Sequence, residues 1–183
     1  MGPLGDLPLA LFQENFKAII QAETFLFKER GFKDQATYDL HWKNFYQSSC
    51  RYYSHLDKIQ MEWGQYITGQ SRFKNLFTRN KSLQLYQELD ENKVVAGFSD
   101  TFHELNLTLS IKRQSSTIRE ASCCFLRVPD VVCSEAKDYL KNLEGAGIKG
   151  LNKKQVAHML GGSQGCVHAI DLCHDALNLA RGG

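Results

Sequence analysis

Four side chains with metal-ligating or nucleophilic chemistry fall where chain elements begin or end. His103 stands just before a strand pattern, Cys133 opens a helix, and Cys166 and His168 open another. Sites concentrate at such places, because loops and element ends project side chains from a rigid frame. Two thiolates and two imidazoles make a tetrahedral set that suits zinc, and soft sulfur also suits an iron–sulfur cluster. A mixed set with two thiolates is common for zinc, whereas most clusters take four sulfurs and two-histidine sets are exceptions. No Cys-x-x-Cys pair occurs, so only the fold can bring the four together.

The same residues admit two other uses. The first turn of a helix exposes unpaired N–H groups and the positive end of a dipole, which favours a thiolate. Cys133 or Cys166 is therefore a candidate nucleophile, with His168 or His103 as base and Glu104 orienting it. Both cysteines can equally pack as small hydrophobes. Cys123 and Cys124 are neighbours on a strand and point to opposite faces, and Cys173 lies near a helix middle, so these three read as structural, as do Cys50 and His55. The stretch Leu160-Gly161-Gly162-Ser163-Gln164-Gly165 follows a helix and lacks a phosphate-loop lysine, so it reads as a helix-to-helix turn.

The elements that must position these groups divide the chain in two. Of the 20 aromatic residues 13 lie in the first 70 positions, against one of the 6 cysteines, which marks residues 1–70 as a helical hairpin and 71–183 as an α+β domain with the candidate metal site. In the first part Phe12, Phe16, Ile19, Ala22 and Leu26 share one helix face. From Tyr38 to Tyr66 steps of four and three through Trp42, Phe45, Ser49, Tyr52, Leu56, Ile59 and Trp63 predict a second, long helix. Its rings, Trp42, Tyr46, Tyr52, Tyr53 and Trp63, read as core or interface rather than as a ligand cage, because burying that face is what stabilises such helices. The face is wide enough to dock a partner protein or a second copy of the chain as a homodimer.

Beyond Gly69 the texture is that of strands: 82–89, a turn at Asp90-Glu91-Asn92, 93–99, then 105–113 with Leu107, Leu109 and Ile111 inward, and 117–128 stopped by Pro129. These predict an antiparallel β-meander. Three helices follow: one carrying Ala136, Leu140 and Leu143, one opened by an Asn152/Gln155 capping box, and one from about Cys166 with Ala169, Leu172, Ala176 and Leu179 inward. The fold class is thus α+β, a meander with C-terminal helices preceded by a helical hairpin.

Composition narrows the function. With 22 basic and 20 acidic residues and no run of like charge, the chain lacks the footprint of a nucleic-acid binder. The apolar stretch 7–12 is too short to span a bilayer and has no positive flank, so neither membrane nor secretion is expected. A cytoplasmic setting follows, with reduced cysteines.

From His103 onward the chain resembles the NifU/IscU-type iron–sulfur scaffold domains. His103-Glu104-Leu105-Asn106-Leu107 sits where that family has its first cysteine, Cys133-Ser134-Glu135-Ala136 where it has the second, and His168 on its histidine. The chain departs from the pattern at His103, which replaces a cysteine, and at Ala169, where the third cysteine should stand; Cys166 lies a turn earlier. Residues 72–183 also resemble an uncharacterised bacterial domain family with a Gly-Cys-x-His signature, here Gly165-Cys166-Val167-His168, and an upstream Asp-x-x-His, here Asp100-Thr101-Phe102-His103. The expectation is a metal-binding scaffold-like or regulatory module holding zinc, or alternatively an iron–sulfur cluster, through His103, Cys133, Cys166 and His168. A cysteine-dependent enzyme and a metal-free interaction protein are the alternatives.

Overall fold

The computed structural model describes residues 7–68 and 76–182. In chain order it contains helices α1 (Leu7–Ala22), α2 (Gln35–Phe45), α3 (Arg51–Ser54) and α4 (Trp63–Thr68), then strands β1 (Arg79–Gln87), β2 (Glu91–Asp100), β3 (Glu104–Lys112) and β4 (Thr117–Arg127). Helix α5 (Val131–Ser134) runs on as a 3-10 segment to Leu143, and α6 (Lys153–Met159) and α7 (Val167–Gly182) complete the fold.

The four strands form an antiparallel sheet in the order β1-β2-β3-β4, the expected meander. Register follows the hydrophobic alternation: Val94 pairs with Leu109, Ala96 with Leu107 and Phe98 with Leu105, all facing one core. A one-residue slip would turn that whole set toward solvent. Helix α7 lies against this face and buries Leu172, Cys173, Ala176 and Leu177 completely. Asn152 caps α6 in a full capping box, accepting from the Gln155 amide while the Gln155 side chain accepts from the Asn152 amide.

The first part is helical, but the long second helix expected over 38–66 is divided into α2, α3 and α4. Asp34 caps α2 by accepting from the Thr37 amide at 2.9 Å. The helix ends at Phe45, and Ser48 takes a left-handed φ of 59°. Serine side chains compete for backbone hydrogen bonds, so the polar run Gln47-Ser48-Ser49 interrupts a helix that ring spacing alone would carry through. A tertiary contact fixes the next break: the buried Asp130 carboxylate accepts from the amides of Gln60, Met61 and Val132, tying the loop before α4 to the start of α5.

Helix α1 is turned the other way from the sequence expectation. Phe12, Phe16 and Ile19 are more than half exposed, whereas Glu14, Lys17 and Gln21 face the domain. Its long-range ion pairs lie on that side: Glu14 bonds Arg79 and Lys81 of β1, and Lys17 bonds Asp171 of α7.

Candidate metal centre

Asp100 ends β2 in phase with Val94, Ala96 and Phe98, so strand alternation aims its carboxylate at the core side of the sheet. There it builds the β2–β3 turn. Its Oδ1 accepts from the amides of Phe102 at 2.7 Å and His103 at 2.6 Å, and from His103 Nδ1 at 3.0 Å. A carboxylate only accepts, so His103 donates from Nδ1. Arg127 of β4 clamps the same turn by donating to the carbonyls of Asp100 and His103.

His168 reaches the turn from the first turn of α7. Its ring stacks on Phe98 with centroids 4.9 Å apart and meets the His103 ring at 4.1 Å. Nε2 lies 3.8 Å from Asp100 Oδ2 and 3.2 Å from the amide nitrogen of Gln21 on α1. Arg79 donates to the Gln21 oxygen at 3.1 Å, which orients that amide to donate to His168. His168 Nε2 therefore accepts from Gln21, with Nδ1 turned toward Cys166 Sγ at 4.0 Å.

The backbone makes this approach possible at Gly165. A Cβ there would lie 1.9 Å from the Leu160 carbonyl oxygen, so only glycine lets the turn close before α7. The Gly165 carbonyl in turn accepts from the Arg51 amide at 2.8 Å, which pins α3 beside the start of α7.

Electrostatics suit a cation. Burial opposes the Asp100 carboxylate, but the charge and hydrogen bond of His103, with His168 and the Phe102 amide, overcome it and hold the group far below the usual range. Burial pushes His168 down to about 3, aided by electrostatic repulsion from His103, so its imidazole is neutral at neutral pH. One ligand atom from each of Asp100, His103 and His168 lies within 4.8 Å of the other two. A buried carboxylate with two imidazoles can hold a divalent metal ion and leave positions open for a further donor.

Of the four residues singled out from the sequence, the fold thus joins His103 and His168, and adds Asp100. Cys166 and Cys133 line the same cavity as the two histidines, yet neither sulfur belongs to the three-residue group. Cys166 caps α7, its carbonyl accepting from the Ile170 amide, and burial raises its thiol to about 12 against the pull of the Ala169 amide. Cys133 packs with Tyr52 and Val132, and burial raises its thiol further. Cys123 is half-buried against the core, Cys124 exposed and Cys173 fully buried, as opposite strand faces and a mid-helix position require.

The aromatic residues of the first part do not simply fill core. Trp42, Tyr46, Tyr52, Tyr53, Trp63 and Phe102 line a cavity of about 350 Å³ that reaches His103 and His168. Tertiary placement decides this: breaking the long helix turns its ring face round the end of the sheet instead of along a partner helix.

Fold and site together define an α+β domain with a buried carboxylate–imidazole group at the end of a meander. The chain belongs to the family described as Protein of unknown function (DUF2889), whose profile matches residues 58–181 and so takes in every strand and all three members of the group. No curated protein and no solved structure matches the chain, and no similarity to the NifU/IscU scaffolds emerges. Among the described residues no helix is long and apolar enough to cross a membrane.

Proposed function

We propose that this protein is a metal-binding module in which Asp100, His103 and His168 hold one zinc ion. The observation that carries the reading is the convergence of one ligand atom from each of Asp100, His103 and His168 within 4.8 Å of one another at a largely buried site. Zinc matches a donor set of two imidazoles and one carboxylate. An iron–sulfur species has less support, because the group contains no sulfur and burial keeps the nearby thiols protonated.

The test is the metal content of protein purified without chelators, followed by zinc titration. One equivalent per chain is expected, lost in His103→Ala and in His168→Ala and retained in Cys133→Ala. Sub-stoichiometric metal that His103→Ala leaves unchanged removes the proposal.

The rival cysteine-dependent enzyme rests on the 4.0 Å approach of Cys166 Sγ to His168 Nδ1. Both groups are driven to their neutral forms by burial, which favours packing over thiolate attack.

A further inference from the structure

The cavity that reaches the metal centre has two unlike ends. One is aromatic: Trp42 stacks on Tyr46 with centroids 4.4 Å apart and an interplanar angle of 16°, and Tyr46 stacks on Tyr53 at 5.6 Å. The other holds His103 and His168 with Lys17, Arg79 and Asp171. A volume of about 350 Å³ lies at the small end of the range for organic-ligand pockets and is far larger than one water requires.

Charge around the polar end is balanced without a metal. Lys17, Arg79, Lys81 and Lys153 are paired with Glu14, Asp100, Asp171 and Asp175 in one connected set of ion pairs, four positive groups against four negative. A divalent cation coordinated there would add two positive charges to a set of ion pairs that is already balanced, in a partly buried site. Such a site gains from an anionic donor, and the bound ion is itself the strongest attractor for one. Three protein ligands would also leave a coordination position for a further donor.

We propose that the cavity binds a small aromatic carboxylate, with its carboxylate completing the coordination of the metal and its ring lying among Trp42, Tyr46 and their neighbours. The proposal rests on the metal reading above. The stacked rings favour a flat body, since aromatic pairs gain from stacking beyond the area they bury. The pairing of every lysine and arginine at the polar end leaves the metal as the group that recognises the anion.

The experiment uses cobalt(II) as the metal and benzoate, with acetate as control, as the ligand. Both tryptophans of the chain line the cavity, so intrinsic fluorescence reports occupancy. Full-length protein is expected to take up one cobalt, seen in its visible absorption bands, and His103→Ala to take up none. Benzoate should then perturb the cobalt bands and the tryptophan emission together. Its binding should be at least about tenfold tighter than that of acetate, and at least about tenfold tighter than its own binding to His103→Ala. Trp42→Leu and Tyr46→Leu, tested separately so that one folded variant suffices, should weaken benzoate while leaving cobalt uptake and acetate unchanged. Cobalt uptake with benzoate no tighter than acetate, or equally tight on His103→Ala, overturns this inference and leaves the metal reading standing. Absence of cobalt uptake overturns both.

Discussion

Asp100 combines two duties that separate substitutions can divide. Asparagine retains an oxygen for the amides of Phe102 and His103 but removes the charge facing both imidazoles. Asp100→Asn is therefore expected to lose metal while remaining folded, whereas Asp100→Ala also strips the turn of its acceptor and should lower unfolding free energy by about 2–4 kcal/mol, read from urea denaturation. The thiols give a second prediction at this scale. Iodoacetamide should label exposed Cys124 quickly at mildly alkaline pH and Cys133 and Cys166 slowly, in a mass-resolved time course, because burial keeps the latter two as thiols. Fast labelling of Cys166 would revive the nucleophile reading. His103 and His168 were legible as candidates because their neighbours announce element ends. Asp100 was legible only in part: it continues the alternation Val94-Ala96-Phe98, but a carboxylate at the end of a strand looks like a turn residue until its burial is known.

Among the elements, the sheet and the last three helices could be read directly, since alternation in β2 and β3 and the capping box of α6 are local signals that tertiary packing reinforces. The division of residues 38–66 could not. Ring spacing was continuous across Ser48, and the acceptor that fixes the later break, Asp130, lies about seventy positions on. Gly165 shows the same long reach in one residue. Gly165→Ala is expected to destabilise by about 2–4 kcal/mol and to weaken metal binding, because displacing the Leu160 carbonyl moves the start of α7 and His168 with it; calorimetry and zinc titration check both. For α1 the governing contact is electrostatic. Burial pushes the Glu14 carboxyl up, but hydrogen bonds from Arg79, Lys81 and Lys17 overcome this and bring it from 4.5 down to about 2. A depressed carboxyl stabilises above its unfolded value, so this contribution is complete above pH 4.5 and fades as pH falls toward 2. Glu14→Gln should flatten the stability profile across that window, followed by thermal unfolding at graded pH.

At the scale of the whole molecule the chain wears part of its apolar surface outward. Leu9, Phe12, Phe16 and Ile19 recur at helical spacing on α1 and are all more than half exposed. Serine at Phe12, Phe16 and Ile19 together should raise solubility without lowering thermal stability by more than a degree or two, the reverse of what a packed hairpin would give; differential scanning calorimetry distinguishes them. The sequence pattern for this helix was sound, and what it could not convey was which side the domain would take, because charges on β1 and α7 set the orientation from far along the chain. That choice places Lys17 and Gln21 on the lining of the cavity, with Gln21 against His168. A cover held on by ion pairs answers to ionic strength: screening shortens from about 10 Å near 0.1 M salt to about 3 Å near 1 M. Metal exchange at the histidines beneath Gln21 should accordingly quicken in concentrated salt, while the grease-packed sheet below stays indifferent, making the ionic medium a throttle on the centre.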